Sequence, residues 1–161
     1  DFVFDAFLGS YADQRTFYHG HTFTGSALGC AAALATLDVL SQTGLLRKVR
    51  EETIPNFWRM LEPLRQHAHV GDLRGRGMMA GIELIQDKAA RLDCDRNERK
   101  GHRVVLAARK RGVNLRAIGD LVLAVPPLTI TTEEMALLGR VLKESIEEAS
   151  IGFEKPCVKQ A

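Results

Sequence analysis

The residues from Phe17 to Leu40, FYHGHTFTGSALGCAAALATLDVL, constrain this chain more than any other stretch. Their first half is a loop in which Gly20 and Gly25 bracket short polar side chains, with His19, His21, Thr22 and Thr24 between or beside them. Their second half, Ala27 to Leu40, is rich in alanine, with Gly29 and Cys30 near its start, and reads as a helix. Alanine is the strongest helix former, and small side chains let a neighbouring backbone approach closely. A hydroxyl-bearing loop running into a helix start gathers free backbone N–H groups at the positive end of the helix dipole, where an anion is readily held. Serine and threonine there also act as ordinary helix caps, so the pattern alone leaves both readings open.

The length of 161 residues allows one domain, or one domain with attachments. Charged residues at 26% and apolar residues at 45% are ordinary for a globular chain. The net charge is only +2 and no basic run is interleaved with aromatics, so nucleic-acid binding has no support. Cys30, Cys94 and Cys157 are an odd number without metal-like spacing, which fits a reduced, cytoplasmic setting. Cys30, within the alanine-rich helix, is expected to be a small buried hydrophobe. No stretch approaches the roughly 20 apolar residues of a membrane span. The chain opens without methionine, inside the amphipathic turn Asp1 to Leu8, and reads as cut from something longer.

Along the chain, Phe2, Val3, Ala6, Phe7 and Leu8 form one apolar helical face ended by Gly9. Residues Leu45 to His69 are helical in pattern, with Pro55 and Pro63 demanding a break or kink. The segment VGDLRGRGMMAGIELI then reads as two strands joined by a glycine-rich turn; with no helix following it, a tight strand connection is a better reading of GRG than a phosphate cradle. Residues 86–99 are a polar loop and Lys100 to Arg111 an amphipathic helix ended by Gly112. Val113 to Arg116 reads as a short strand, Ala117 to Asp120 as a turn, and Leu121 to Val125 as a strand stopped by Pro126 and Pro127. Thr131 or Thr132 caps a last helix, which runs to about Ala149 with Glu133 and Glu134 in its first turn. Strands and helices in this order suggest an α+β fold, a small, mainly antiparallel sheet covered by helices.

Few residues invite chemistry. The pairs His19/His21 and His67/His69 lack a third ligand at recognisable spacing, which argues against a metal site. No nucleophile motif or dinucleotide fingerprint is present. Arg116 follows apolar Leu115 and precedes the turn AIGD, so it is expected to project at a strand end. Arginine grips a carboxylate through two parallel hydrogen bonds and suits an acidic substrate, although a surface salt bridge is the plainer alternative.

Three segments, HGHTFTGSALGCAAALATL, GDLRGRGMMAGIELI and GVNLRAIGDLVLAVPPLTIT, occur in this order and spacing in the class III, fold-type-I aminotransferases, which use pyridoxal 5'-phosphate (PLP). The chain resembles that family from Asp1 to about Ala149, and most resembles its branch in biotin synthesis. The resemblance implies an α/β enzyme overall, of which residues 1–24 are the edge of the large PLP-binding domain, 25–69 linking helices, 70–149 the small C-terminal α+β domain and 150–161 a tail. It implies that Thr22 binds the PLP phosphate across the interface of a homodimer, and that Gly20 and His21 line the same loop, with His21 on the cofactor side where many members have proline. It implies that Arg116 holds the carboxylate of 8-amino-7-oxononanoate, the amino-group acceptor, with adenosylmethionine the expected donor and lysine, used by some relatives, left open. Ser26 and Ala27 depart from the commoner Asn-Pro. Leu123 stands where acetylornithine- and ornithine-type relatives carry an arginine for the substrate α-carboxylate.

The cofactor's Schiff-base lysine and the aspartate for its ring nitrogen are not matched by any position here, and by resemblance they lie upstream of Asp1. The lysines present fall on charged helical faces, in polar loops or in the tail, so the chain alone is expected to be inactive. Two other readings stay open: a class III aminotransferase for an ω-amino acid or diamine, and a non-catalytic association module with the same small-domain fold.

Overall fold

A computed structural model of the chain describes residues 1–151; the expected tail lies, from residue 152 onward, outside the described residues. The chain divides into two compact units, Asp1–Thr43 and the residues from Gly44 onward. No single helix among the described residues is long and apolar enough to cross a membrane.

The first unit holds α1 (Phe2–Asp5), a 3-10 turn at Tyr11–Asp13 and α2 (Ala27–Gln42). The helix expected to reach Leu8 ends at Asp5, and its apolar side chains stay exposed. None of this unit's residues is buried. Cys30 is exposed rather than buried, because the unit has one long helix and no second layer to cover it.

The second unit begins with α3 (Leu45–Lys48), a π turn at Val49–Thr53, α4 (Ile54–Leu61) and a 3-10 turn at Glu62–Gln66. The prolines act as expected. Pro55 and Pro63 each sit in the first turn of a new helical segment, where a missing N–H costs nothing. The strands β1 (Val70–Arg76) and β2 (Met79–Leu84) follow, then α5 (Lys100–Lys110), β3 (Arg116–Ile118), β4 (Leu121–Ala124) and α6 (Thr132–Ser150). The four strands form one sheet in the order β1-β2-β4-β3, with every pairing antiparallel.

Glycine makes the β1–β2 hairpin possible. Gly77, at φ +60°, opens the two-residue loop between Arg76 and Met79, and a side chain on Gly75 would put its Cβ 2.0 Å from the Met79 carbonyl oxygen. Trp58 ties α4 to this loop by donating its indole N–H to the Gly77 carbonyl at 2.9 Å. The core is built from Phe57, Leu61, Val70, Ile82, Val104, Val122, Leu142 and Ile146, all fully buried. α6 starts with a reciprocal cap: Thr131 Oγ1 accepts the Glu134 N–H at 3.2 Å, and Glu134 Oε2 accepts the Thr131 N–H at 2.8 Å.

α5 meets the β3–β4 turn so closely that position 101 on the helix has no room for a Cβ. A Cβ on Gly101 would lie 2.2 Å from the Gly119 carbonyl oxygen, and the Gly101 N–H donates to Asp120 Oδ1 at 3.1 Å. Gly101→Ala should therefore lower stability by about 1–3 kcal/mol in thermal unfolding, since rigid backbone must move. Gly139→Ala should lose less, because its obstacle, 2.6 Å away, is the flexible Met60 side chain.

Candidate functional site

The loop before α2 is shaped by turns. The Thr24 N–H donates to the His21 carbonyl at 3.0 Å and the Ser26 N–H to the Phe23 carbonyl at 3.1 Å, with Gly25 at φ +76° between them. Upstream the rings form a short ladder: Phe17 stacks on His19 at 5.2 Å, and His19 meets His21 edge-on at 4.7 Å. Gly20, His21 and Thr22 are thus brought together, exposed, on one loop. Ser26 occupies the N-cap position of α2, yet its hydroxyl makes no capping bond. Among the described residues the Thr22 hydroxyl has no hydrogen-bond partner either. A loop of unengaged hydroxyls ahead of uncapped helix N–H groups fits a phosphate, so the donor set suits a phosphorylated cofactor. Among the described residues no group of three metal-ligating side chains occurs.

Arg116 belongs to the other unit and opens β3 rather than closing a strand. The expected strand Val113–Arg116 is displaced: residues 116–118 pair with 121–123, and the turn shrinks to Gly119 and Asp120, with Gly119 at φ +59°. A two-residue connection fixes which residues face each other, and local apolar pattern cannot override it. Arg116 lies directly across from Leu123, is exposed, and forms no ion pair among the described residues. On one side it borders a cleft of about 680 Å³ walled by Leu115, Leu123, Val125, Pro126, Ile130 and Leu137. On the other it borders a cleft of about 780 Å³ between α5 and the β3–β4 turn.

That second cleft escaped the sequence reading. Its arginines come from segments far apart in the chain, and the only local signal was the spacing of Arg96 and Arg99. Lys100, on the charged helix α5, is 1% exposed because it packs inward, where it pairs with Glu98. His102 is exposed at the cleft's wall. Cys94, 8% exposed, lines the same cleft, and burial, with Asp120 adding to it and Lys100 opposing, pushes its thiol up to about 11.

The family profile of the class-III aminotransferases matches residues 2–146. The chain belongs to that family. A Nitratidesulfovibrio vulgaris protein named adenosylmethionine-8-amino-7-oxononanoate aminotransferase is 48% identical over 144 residues, covering 89% of this chain and 26% of the relative. The Geobacter sulfurreducens protein of the same name is 46% identical over 150 residues, covering 93% and 33%. The crystal structure of the same-named enzyme from Methanocaldococcus jannaschii superposes with a TM-score of 0.81 at 38% identity, covering 91% of this chain and 33% of that one. The chain thus spans between a quarter and a third of the length of these relatives. A PMP-bound aminotransferase from Vibrio fluvialis is also similar, at 27% identity and a TM-score of 0.76. These relatives are fold-type-I enzymes, in keeping with the α+β fold, and class-III aminotransferases depend on PLP.

The buried thiol makes a direct check of the α5 cleft. At pH 8, well below about 11, Cys94 is almost wholly protonated and should resist iodoacetamide in the folded chain, reacting only after denaturation. Peptide mass spectrometry reads the difference, and rapid native labelling would contradict the buried placement.

Proposed function

We propose that this chain supplies the phosphate loop and the carboxylate anchor of an aminotransferase that converts 8-amino-7-oxononanoate to 7,8-diaminononanoate in biotin synthesis. The observation that carries this reading is Arg116, an exposed, unpaired guanidinium at the mouth of an apolar cleft. The acceptor is a keto acid whose carboxylate stands at the end of an aliphatic chain. Arg116 offers two parallel N–H donors to the carboxylate, while Leu123, Val125 and Ile130 take methylenes at about 0.8 kcal/mol each. Identities of 38–48% to enzymes named for this reaction, against 27% for the Vibrio fluvialis aminotransferase, favour it over an ω-amino-acid or diamine substrate. The names of the same relatives support adenosylmethionine as the donor.

When bound, PLP supplies the electron sink and carries the amino group between the two substrates. Thr22 holds the cofactor's phosphate through its hydroxyl, and His21 and Gly20 complete the loop on the cofactor and substrate sides. We further place the protein in the cytoplasm as a homodimer, with the phosphate site shared across the interface. The exposed apolar side chains on every side of α2, including Leu28, Leu34 and Leu37, support extensive cover by further protein surface.

Two substitutions in the full-length protein test the reading. Thr22→Ala removes one hydrogen bond to a charged phosphate, worth about 1.5–3 kcal/mol, and should weaken PLP affinity about tenfold or more with the fold intact. Unchanged affinity by equilibrium titration would reduce the loop to a helix approach. Arg116→Ala removes one partner of a charge pair typically worth about 2–5 kcal/mol and should raise KM for 8-amino-7-oxononanoate at least tenfold. The half-reaction with the amino donor should change much less. Arg116→Lys should rescue poorly, because a point charge cannot reproduce the two-pronged grip. Keto-acid kinetics untouched by Arg116→Ala would remove the main support for this substrate.

A further inference from the structure

The cleft between α5 and the β3–β4 turn carries more positive charge than the proposed reaction uses. Arg96, Arg99, Arg109 and Arg116 line it, with His102 beside them. Among the described residues none of these four guanidiniums forms an ion pair. The carboxylates at the same cleft are Glu83, Asp93 and Asp120. Glu83 is engaged by Arg74, and Asp120 accepts the Gly101 N–H at 3.1 Å. The acceptor substrate brings a single carboxylate, for which Arg116 suffices. Three further guanidiniums line the cleft from a 3-10 turn, a helix start and a helix end, which is more N–H donors than one carboxylate uses. At about 780 Å³ the space is that of a small-molecule site.

We infer that this cleft is a second binding site, for a small molecule bearing phosphate groups. Several guanidiniums lining one cleft suit the many oxygens of a multiply charged phosphate-bearing group, where a single planar carboxylate would engage only one of them. Arg116 borders this cleft and the apolar one alike, so an anion held here competes with the keto acid for the same guanidinium. Occupancy therefore weakens acceptor binding. The competition rests on the proposed role of Arg116, whereas the binding site itself does not.

The experiment uses the full-length protein with its cofactor bound, so that the cofactor's own phosphate site is filled. Equilibrium dialysis with labelled pyrophosphate at 0.15 M salt should show saturable binding. Arg96→Ala and Arg99→Ala should each weaken it at least about tenfold, and Arg96→Gln and Arg99→Gln should do the same while keeping side-chain bulk. All four variants alter exposed side chains and should retain wild-type melting temperatures and wild-type keto-acid kinetics in the absence of pyrophosphate. Pyrophosphate should raise the apparent KM for the keto acid in the wild type and not in Arg99→Ala. Absence of saturable binding, binding unchanged in the Arg96 and Arg99 variants, or citrate bound as tightly as pyrophosphate would each overturn the assignment. Those results leave the reaction itself standing. Unchanged keto-acid kinetics in Arg116→Ala would instead strike the reaction while leaving pyrophosphate binding to be measured.

Discussion

The second unit depends on the contact between Gly101 and the Gly119–Asp120 turn. α5 begins without a side-chain cap of its own, since Arg99 holds the N-cap position in the left-handed region. The Asp120 carboxylate, nineteen residues away in sequence, accepts the Gly101 N–H in its place. A negative charge at the positive end of a helix is favourable, and here it also fastens a hairpin to that helix. The absent Cβ at position 101 brings the two backbones close enough for the bond to form. Because the turn is fixed, the β3–β4 register is fixed, and with it the place of Arg116.

The first unit works by a different rule. Its long helix α2 is apolar on every side, so nothing in its own pattern selects a buried face. Tertiary cover decides what such a helix packs against, and the preceding loop inherits its setting from that cover. The loop's local form is nonetheless well determined, because two backbone turns and the positive φ of Gly25 shape it without any distant partner.

The same distinction explains what the sequence made legible. Prolines, the glycines of the β1–β2 hairpin and the Thr131 cap act within a few residues, and the helices and hairpin built on them fall where expected. The β3 strand was displaced because its boundary is set by the partner strand and not by the apolar run Val113–Leu115. The burial of Lys100 arises from tertiary packing around a residue whose local sequence is charged, and the exposure of Cys30 from the lack of a second layer. Of the candidate site, the loop residues and Arg116 were readable as motifs. The cleft of arginines was not, because it forms only when α5, the 96–99 turn and β3 are packed together.

The facing of Arg116 and Leu123 has a consequence for how specificity changes in such a scaffold. In the acetylornithine- and ornithine-type pattern the arginine stands at the position of Leu123, one rung across the ladder from Arg116. Residues directly opposed in an antiparallel pair have Cβ atoms about 4.5–5.5 Å apart and project from the same side of the sheet. Moving the charge from one strand to the other is therefore a sideways step of about one strand spacing along the same cleft wall, with no loop remodelled and no turn altered. Under the role proposed for Arg116, the hairpin is a rail on which a cation occupies alternative stations, each suited to a different distance between the reacting carbon and the substrate's acid group.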